Sequence, residues 1–291
     1  MNLMNWHETI VYIQDKPEYS KLLIDAYLDK NLELNFERFY KSEEYNETIS
    51  LIKKYAPNAK TILDVGAGNG ISTISFATDG YKVTALEPDN SEIVGSKAIE
   101  ILSQKKKLQN INIINSYAES TEFLDNSFDV IYVRQALHHA NNLQKFVSEM
   151  YRILKPNGIL FTLRDHVIFD EKDKSDFLET HPLNKFYNGE NAFTLNEYKS
   201  AFINAQFKIK EEFSFYSNVI NYSPITKNDL SKKIITSINN YREIFKKTHP
   251  FISLLPFSFQ LFKLKNGINK SLQILNEKQI SGRLYSFILK K

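Results

Sequence analysis

The sequence predicts an α/β fold in which a mostly parallel sheet is covered by helices on both faces. From about residue 60, short apolar runs alternate with longer segments whose apolar residues recur every three or four positions. A sharp turn, Lys155-Pro156-Asn157-Gly158, separates a helical pattern from the next strand, because proline ends the helix and glycine tolerates a positive φ. The composition, with 42% hydrophobic and 24% charged residues, is that of an ordinary globular protein.

The N-terminal part predicts two amphipathic helices, one around residues 22–27 and the other around residues 45–52. Their apolar residues have the i, i+3, i+4 spacing of one buried stripe. Strands and helices then alternate, with strands at 61–65, 81–86, 111–114, 128–133 and 159–163 and helices at 71–79, 91–106 and 143–154. This order is typical of a parallel sheet with helical crossovers.

The alternation loosens after residue 163. Residues 164–193 carry many polar residues, with a short helix expected near 170–179 and a break at His181-Pro182. The pattern Thr226-x-x-Asp229 is suited to cap a later helix. The remaining predicted elements are a helix at 194–204, a strand at 207–213, the capped helix at 226–247 and a final strand at 283–289.

Length and composition exclude several classes of protein. The 291 residues allow one or two domains. The absence of cysteine excludes a disulfide framework, a thiol nucleophile, a cysteine-ligated zinc site and an iron–sulfur cluster. The longest apolar runs fall far short of the ~20 residues that cross a bilayer. The N-terminus shows neither the basic nor the apolar region of a secretory signal, so we expect a cytoplasmic protein.

Basic residues are concentrated in the last quarter of the chain. From residue 221 onward there are 13 Lys and Arg against 3 Asp and Glu, whereas residues 1–220 carry a net charge of −7. This asymmetry bears on binding partners rather than on the fold.

A glycine-rich segment between the first predicted strand and the next helix, Asp64-Val65-Gly66-Ala67-Gly68-Asn69-Gly70, predicts a nucleotide-like ligand. It is not a dinucleotide fingerprint, because Ile71 stands where the third glycine is needed, and it lacks the P-loop ending. The carboxylate of Asp64 suits a ligand with an ammonium group and ribose hydroxyls. Glu87, 21 residues after Gly66, can accept both hydroxyls of a ribose. S-adenosylmethionine, an adenosine joined to an amino acid, meets these demands.

Five blocks of the sequence resemble the class I S-adenosylmethionine-dependent methyltransferases, in the group that contains the small-molecule enzymes. They are residues 62–70, Glu87-Pro88, Ala118-Glu119, residues 128–131 running into Ala136-Leu137-His138-His139, and residues 154–158. The resemblance covers about residues 60–163 and implies a Rossmann-like sheet of seven strands, with the last strand antiparallel beside the fifth. The sequence departs from the family at Asn157, where a second glycine is usual, but Asn also tolerates a positive φ.

The resemblance also implies which residues bind the cofactor and its product, S-adenosylhomocysteine. Ala118 and Glu119 would border the adenine, and Arg134 and Gln135 would lie near the methionine part. The alternative is a Rossmann-like domain whose glycines form a tight turn and nothing more. The full predicted cofactor set is Asp64, Gly66, Ala67, Gly68, Gly70, Glu87, Pro88, Ala118, Glu119, Arg134 and Gln135.

Polar residues follow the fourth and fifth predicted strands, at the edge where ligands of such sheets bind. His138 and His139 follow the fourth strand, and Arg164, Asp165 and His166 follow the fifth. Methyl transfer to a hydroxyl needs in-line placement and removal of a proton, which a histidine of near-neutral pKa can accept. Sugar O-methyltransferases are similar here, which implies His138 as general base, Asp165 as its positioning partner and His139 as the substitute base.

Further residues are assigned to the acceptor. Arg164 can pair with an acceptor carboxylate or phosphate, or with a local acid, and His166 and Tyr187 are expected beside it. Residues 181–191 combine aromatics, amides and an acid, as a sugar-binding wall requires, or else form a plain surface loop. The histidines could alternatively serve packing or backbone hydrogen bonds. No metal is predicted, although two histidines and one aspartate could ligate a divalent ion.

The preferred function is O-methylation of a sugar-containing small molecule or glycan precursor. Residues 181–191 resemble, less specifically, bacterial methyltransferases associated with surface-polysaccharide biosynthesis. One alternative is N- or C-methylation of another metabolite, which needs no histidine base, and a second is a non-catalytic S-adenosylmethionine-binding protein. Nucleic acid is not an expected acceptor, because no Asp/Asn-Pro-Pro-Tyr motif follows the fourth strand.

Four segments are expected along the chain: an N-terminal helical lid over the cofactor mouth at 1–55, the methyltransferase core at 56–214, a helical cap insertion at 215–281 and a final core strand at 282–291. The insertion contains an apolar segment, residues 250–262, followed by Lys263 and Lys265. The position of the insertion predicts a cap for acceptor selection. Its aromatics beside lysines predict peripheral contact with an anionic membrane surface or with a lipid-linked or phosphate-bearing acceptor. The alternative is that the phenylalanines are buried against the sheet domain and the lysines are solvated.

Overall fold

The computed structural model describes residues 3–262 and 275–291. The helices in this part of the chain are α1 (Trp6–Gln14), α2 (Ser20–Asp25), α3 (Leu32–Tyr40), α4 (Glu43–Tyr55), α5 (Ile71–Thr78), α6 (Ser96–Lys105), α7 (Leu143–Ile153), α8 (Glu171–Thr180), α9 (Asn184–Tyr187), α10 (Leu195–Asn204), α11 (Val219–Tyr222), α12 (Lys227–Thr248) and α13 (Ser258–Phe262). The strands are β1 (Thr61–Val65), β2 (Lys82–Leu86), β3 (Ile111–Ile114), β4 (Phe128–Arg134), β5 (Leu154–Ile168), β6 (Phe193–Thr194), β7 (Lys208–Phe213) and β8 (Leu284–Lys290).

These strands form one sheet in the order β3-β2-β1-β4-β5-β8-β7. Strands β1 to β5 pair in parallel, and β8 lies antiparallel between β5 and β7. The two-residue β6 pairs with the end of β5 and adds an eighth strand to the seven that were predicted. The structure thus confirms the predicted α/β fold, with the last strand antiparallel beside the fifth.

The sheet is buried on both faces, as a parallel sheet requires. Successive residues of a strand point to opposite faces, and the central strand β4 shows this directly. Ile131 and Val133 pack with the apolar cluster that includes α7 and α10, whereas Val130 and Tyr132 pack with the cluster that includes α4 and α5. The carboxyl ends of β1, β2, β4 and β5 are therefore held by a continuous core.

Strand β5 continues beyond its predicted end at residue 163 and runs to Ile168. Arg164 has a φ of 60°, in the left-handed region, and the pairing of β5 with β8 shifts between Thr162 and Asp165. After this bulge the ladder resumes, with Asp165 opposite Tyr285. Asp165 is consequently fixed on a strand rather than carried by a loop.

The N-terminal part contains more helix than predicted. Helices α2 and α4 fall where the periodicity placed them, whereas α1 and α3 were not predicted. Ile10 and Ile13 of α1 are fully buried and share an apolar cluster with Leu183 and Phe186. This packing holds α1 beside α9.

The chain divides into two compact units: the residues up to Pro224 together with Ser281–Lys291, and Ile225–Ile280. Helix α11 belongs to the first unit and packs on α4 and β8, so the second unit begins later than residue 215. In the second unit, the Thr226 hydroxyl accepts the Asp229 N–H at 3.0 Å and caps α12, as predicted. Lys263 and Lys265 lie outside the described residues. Within the described ranges, no helix is long and apolar enough to cross a membrane.

Candidate functional site

A cavity of about 550 Å³ lies at the carboxyl ends of β1, β2, β4 and β5. Among the described residues, those that line it belong to the first unit and include Trp6 of α1 and Leu22 of α2. The sequence-predicted residues that line it are Asp64, Gly66, Ala67, Gly68, Glu87, Pro88, Ala118, Glu119, Arg134, Gln135, His138, His139, His166 and Tyr187.

The glycine-rich segment turns sharply from β1 into α5. Gly66 has a φ of 65°, and its N–H donates to the Leu86 carbonyl at 2.8 Å. A Cβ at Gly66 would lie 2.6 Å from the Ala136 side chain, so no other residue fits there. Gly70, with a φ of 82°, caps α5 and does not line the cavity. This glycine serves the turn and the close approach to Ile99, and its predicted contact with the cofactor stays a prediction.

Two buried carboxyl groups face the cavity from β1 and the end of β2. Glu87 is 7% exposed and accepts the Gly68 N–H at 2.7 Å and the Asp89 N–H at 2.8 Å. Asp64 accepts the Thr73 hydroxyl at 2.6 Å. Burial raises the pKa of Glu87 to about 7 and the pKa of Asp64 to about 7. Each carboxylate keeps acceptor capacity for a ligand that donates hydrogen bonds.

The predicted adenine and methionine residues are held by neighbouring loops and helices. Glu119 accepts the backbone N–H of Asn141 at 3.0 Å. Arg134 donates through Nε to Glu44 of α4 at 2.6 Å and through Nη1 to the Gln135 amide oxygen at 2.9 Å. The end of β4 is thus fixed by an ion pair to the N-terminal helices, and Glu44 is a contributor that the sequence did not reveal.

His138 lines the cavity and contacts the buried Asp165. His138 Nδ1 is 3.0 Å from Asp165 Oδ1, and the His138 backbone N–H donates to the same oxygen at 3.2 Å. The His138 side chain is 2% exposed, and burial lowers its pKa well below the usual range. Asp165 is fully buried, does not line the cavity and has its pKa raised by burial. The imidazole is uncharged at neutral pH and can accept a proton; its role as base stays a prediction.

The structure does not place Arg164 in the cavity. The bulge in β5 turns its side chain to the opposite side, where Nη1 donates to the carbonyls of Ile220 and Ser223. Nη1 also lies 3.7 Å from Glu44 Oε2. Arg164 is therefore a buried group beside a local acid, Glu44, which is the alternative that the sequence left open, and it does not line the cavity.

The rest of the polar lining comes from the turn after β4, the end of β5 and the segment around α9. His139 donates through Nδ1 to the Gly189 carbonyl at 3.1 Å, and His166 donates through Nδ1 to the Gly282 carbonyl at 2.6 Å. The Tyr187 hydroxyl donates to Glu190 Oε1, and its ring lies 5.1 Å from the Trp6 ring.

Trp6, His181 and Glu190 are among the cavity residues that were not predicted as site residues. His181 and Glu190 lie in the segment treated as a sugar-binding wall, and Trp6 precedes the first helix that the periodicity identified. The sequence separations could not show that the Glu190 carboxylate lies between His138 and His181.

The central part of the chain is similar to known methyltransferases. Residues 63–162 match a family model described as a methyltransferase domain. A sterol 24-C-methyltransferase of Pneumocystis carinii is 32% identical over 168 residues, which is 54% of this chain and 43% of the relative. A ubiquinone biosynthesis O-methyltransferase of Rickettsia typhi is 35% identical over 98 residues, 34% of this chain and 38% of the relative.

The fold is likewise shared with solved structures. The YcgJ protein of Bacillus subtilis superposes with a TM-score of 0.52 at 21% identity, over 84% of this chain and 97% of that one. The chain spans less than half the length of the two curated relatives.

Proposed function

We propose that the protein is an S-adenosylmethionine-dependent methyltransferase acting on a hydroxyl of a sugar-containing small molecule or glycan precursor. The match of residues 63–162 to a methyltransferase-domain model supports this proposal. The observation that carries the proposal is one cavity in which two buried carboxylates and a neutral histidine face a common space. Bound S-adenosylmethionine supplies the methyl group. Its proposed contacts are Glu87 with the ribose, Asp64 with the amino-acid end, Ala118 and Glu119 with the adenine, and Arg134 and Gln135 with the methionine part.

The cavity fits such a ligand on its own geometry. Gly66 and Gly68 both line the cavity, and the Gly68 N–H contacts the Glu87 carboxylate directly at 2.7 Å. Glu87 already accepts two backbone N–H groups, which fixes the carboxylate and leaves lone pairs for two ribose hydroxyls. Because the Glu87 carboxylate is already fixed, it loses little conformational entropy when it binds the hydroxyls.

The acceptor side supports a hydroxyl nucleophile. A sugar hydroxyl must lose its proton during methyl transfer, and His138 Nε2 faces this space because Nδ1 is directed to Asp165. The rings of Trp6 and Tyr187, tilted by 58°, form an aromatic wall beside polar groups, as sugar faces and edges require. The ubiquinone O-methyltransferase relative supports O-methylation, and the sterol 24-C-methyltransferase relative supports C-methylation as the second candidate.

The test is a screen of the full chain with S-adenosylmethionine against sugar nucleotides, oligosaccharides and lipid-linked glycans. Release of S-adenosylhomocysteine reports turnover, and carbon NMR of the product distinguishes O-, N- and C-methyl groups by chemical shift. We expect an O-methyl product. A C- or N-methyl product would contradict the proposal that the acceptor atom is a hydroxyl oxygen. Tight cofactor binding without turnover on any class would favour a binding protein instead.

A further inference from the structure

A second polar cluster lies on the acceptor side of the cavity, apart from the glycine turn and Glu87. It consists of His166 at the end of β5, His181 just after α8 and Glu190 after α9. One ring nitrogen of each histidine and a carboxylate oxygen of Glu190 lie within 4.8 Å of one another. Three different elements therefore bring metal-ligating atoms to one point.

Glu190 is a buried carboxylate with one oxygen that lacks a hydrogen-bond partner among the described residues. Its side chain is 6% exposed, and Oε1 accepts the Tyr187 hydroxyl. The other oxygen, Oε2, is buried and has no hydrogen-bond partner among the described residues. His181 Nε2 lies 3.6 Å from Oε1, and His138 Nε2 lies 3.7 Å from Oε2. Burying a carboxylate oxygen without a hydrogen bond destabilises the folded protein unless a cation or a ligand donor binds that oxygen.

The histidine orientations point to the same conclusion. A carbonyl oxygen can only accept, so the 2.6 Å contact with Gly282 requires His166 Nδ1 to carry the proton. Nε2 is then left with a lone pair directed away from that carbonyl. Metal-ligating histidines are commonly oriented by this kind of hydrogen bond from the other ring nitrogen.

We propose that His166, His181 and Glu190 bind a divalent first-row transition cation. Two imidazoles and one carboxylate are the protein ligands of open zinc and non-haem iron sites. Ligand atoms about 2.0–2.2 Å from one metal lie roughly 3–4 Å apart, so the 4.8 Å cluster closes around an ion with small side-chain movements. Nitrogen ligands disfavour Mg²⁺ and Ca²⁺, which prefer oxygen.

The remaining coordination positions would face the cavity, which all three residues line. A cation there can bind an oxygen of the acceptor and hold it for reaction, a step that rests on the proposed methyl transfer. His138 is left outside this ligand set. Its Nε2 therefore remains available to accept the proton of a neighbouring hydroxyl.

The test uses the full chain without a histidine tag, cleared of metal and free of S-adenosylmethionine. Titration with Co²⁺ is followed by visible absorption, and Zn²⁺ and Mg²⁺ are then added as competitors. We expect one Co²⁺ per chain, displaced by Zn²⁺ and not by millimolar Mg²⁺. Glu190→Gln and His166→Asn should each weaken Co²⁺ binding by at least about tenfold. The matched control is His249→Asn, because His249 belongs to the second unit, and it should bind as wild type does.

Thermal unfolding of each variant shows that it is folded. Absence of Co²⁺ binding by the wild type would overturn the proposal. Retention of full affinity in both cavity variants would also overturn it. Loss of binding in His138→Asn or His139→Asn alone would do the same, because it would assign the ion to His138, His139 and Glu190, whose ligand atoms also lie within 4.8 Å of one another. Binding of S-adenosylmethionine is measured separately by calorimetry. If the protein binds the metal but transfers no methyl group, the proposed function is contradicted and the metal site is not.

Discussion

The pKa values of Glu87 and Asp64 predict how cofactor binding depends on pH. Burial raises both to about 7, and a cationic ligand with ribose hydroxyls needs both carboxylates ionised. Protonation below pH 7 therefore competes with binding, and affinity for S-adenosylmethionine should rise between pH 6 and 8 and level off above. Calorimetry in two buffers of different ionisation enthalpy should detect proton release on binding near pH 6.5. An affinity independent of pH would contradict the raised pKa values.

Replacing the Glu87 carboxylate tests the ribose contact directly. Hydrogen bonds to a charged group contribute ~1.5–3 kcal/mol each, so Glu87→Gln should weaken S-adenosylmethionine binding roughly ten- to a thousand-fold. The matched control is Glu92→Gln, because Glu92 is exposed and does not line the cavity. Unchanged calorimetric affinity in Glu87→Gln would remove Glu87 from the cofactor site.

His138 predicts a distinct pH profile for turnover. Its pKa lies well below the usual range, so the base form persists on the acid side of neutrality. Once an acceptor is known, wild-type turnover at saturating S-adenosylmethionine should stay level from pH 8 to about 6.5 and fall only at lower pH. His138→Ala should reduce turnover by about 10²–10⁴-fold with nearly unchanged cofactor affinity. Full activity in this variant would point to His139 or to positioning alone.

The contact between α4 and the ends of β4 and β5 depends on one buried carboxylate. Glu44 lies 2.6 Å from Arg134 Nε and 3.7 Å from Arg164 Nη1, and all three side chains are largely buried. Removing one member of a buried ion pair costs about 3–5 kcal/mol, because the remaining charge loses its partner. Glu44→Gln should therefore lower the free energy of unfolding by about 3 kcal/mol, measured by urea denaturation.

Helix α3 offers a matched control for this substitution. Glu37 forms an exposed pair with Lys41 at 3.3 Å, and Glu37→Gln should change stability by less than about 0.5 kcal/mol. Equal effects of the two variants would show that the buried contact does not stabilise the junction.

The sequence predicted the elements with a strong local signal and missed those fixed by tertiary contacts. The five parallel strands read as short apolar runs because both faces are buried. The bulge at Arg164 has no such signal, since a left-handed arginine is stabilised by the Ile220 and Ser223 carbonyls far along the chain. Helix α1 was missed because Ile10 and Ile13 are stabilised by packing on the distant α9 segment.

At the scale of the whole molecule, the candidate site also contains residues that the sequence predicted and residues that only the tertiary structure reveals. The glycine turn, Glu87 and the pair of His138 with Asp165 follow from their places at strand ends, where the fold collects residues of separate segments. Glu190 approaches His138 only through the course of residues 169–190, which no local pattern encodes. Sequence reasoning therefore located the cavity and underestimated how many titratable groups share it.

The second unit carries an exposed apolar surface that predicts contact with an anionic membrane. Phe251 is 85% exposed and Leu254 82%, and Phe257 and Leu261 are also largely exposed. No described residue of the same unit covers them, and the chain from residue 221 carries 13 Lys and Arg against 3 Asp and Glu. Aromatic and aliphatic side chains beside lysines bind the interface of anionic bilayers, with about 1 kcal/mol per basic residue near the surface.

We expect the full chain to co-sediment with phosphatidylserine-containing vesicles at low salt and to be released at high salt, because screening shortens the reach of the basic residues. The double variant Phe251→Ser with Leu254→Ser should reduce binding at every salt concentration, since it removes apolar insertion and leaves the charge unchanged. Ile235→Ser is the matched control: Ile235 is exposed on α12, outside the 250–262 segment, and its loss should change little. No sedimentation at low salt would leave this unit without a membrane role. The acceptor screen should then be directed to water-soluble glycans rather than lipid-linked ones.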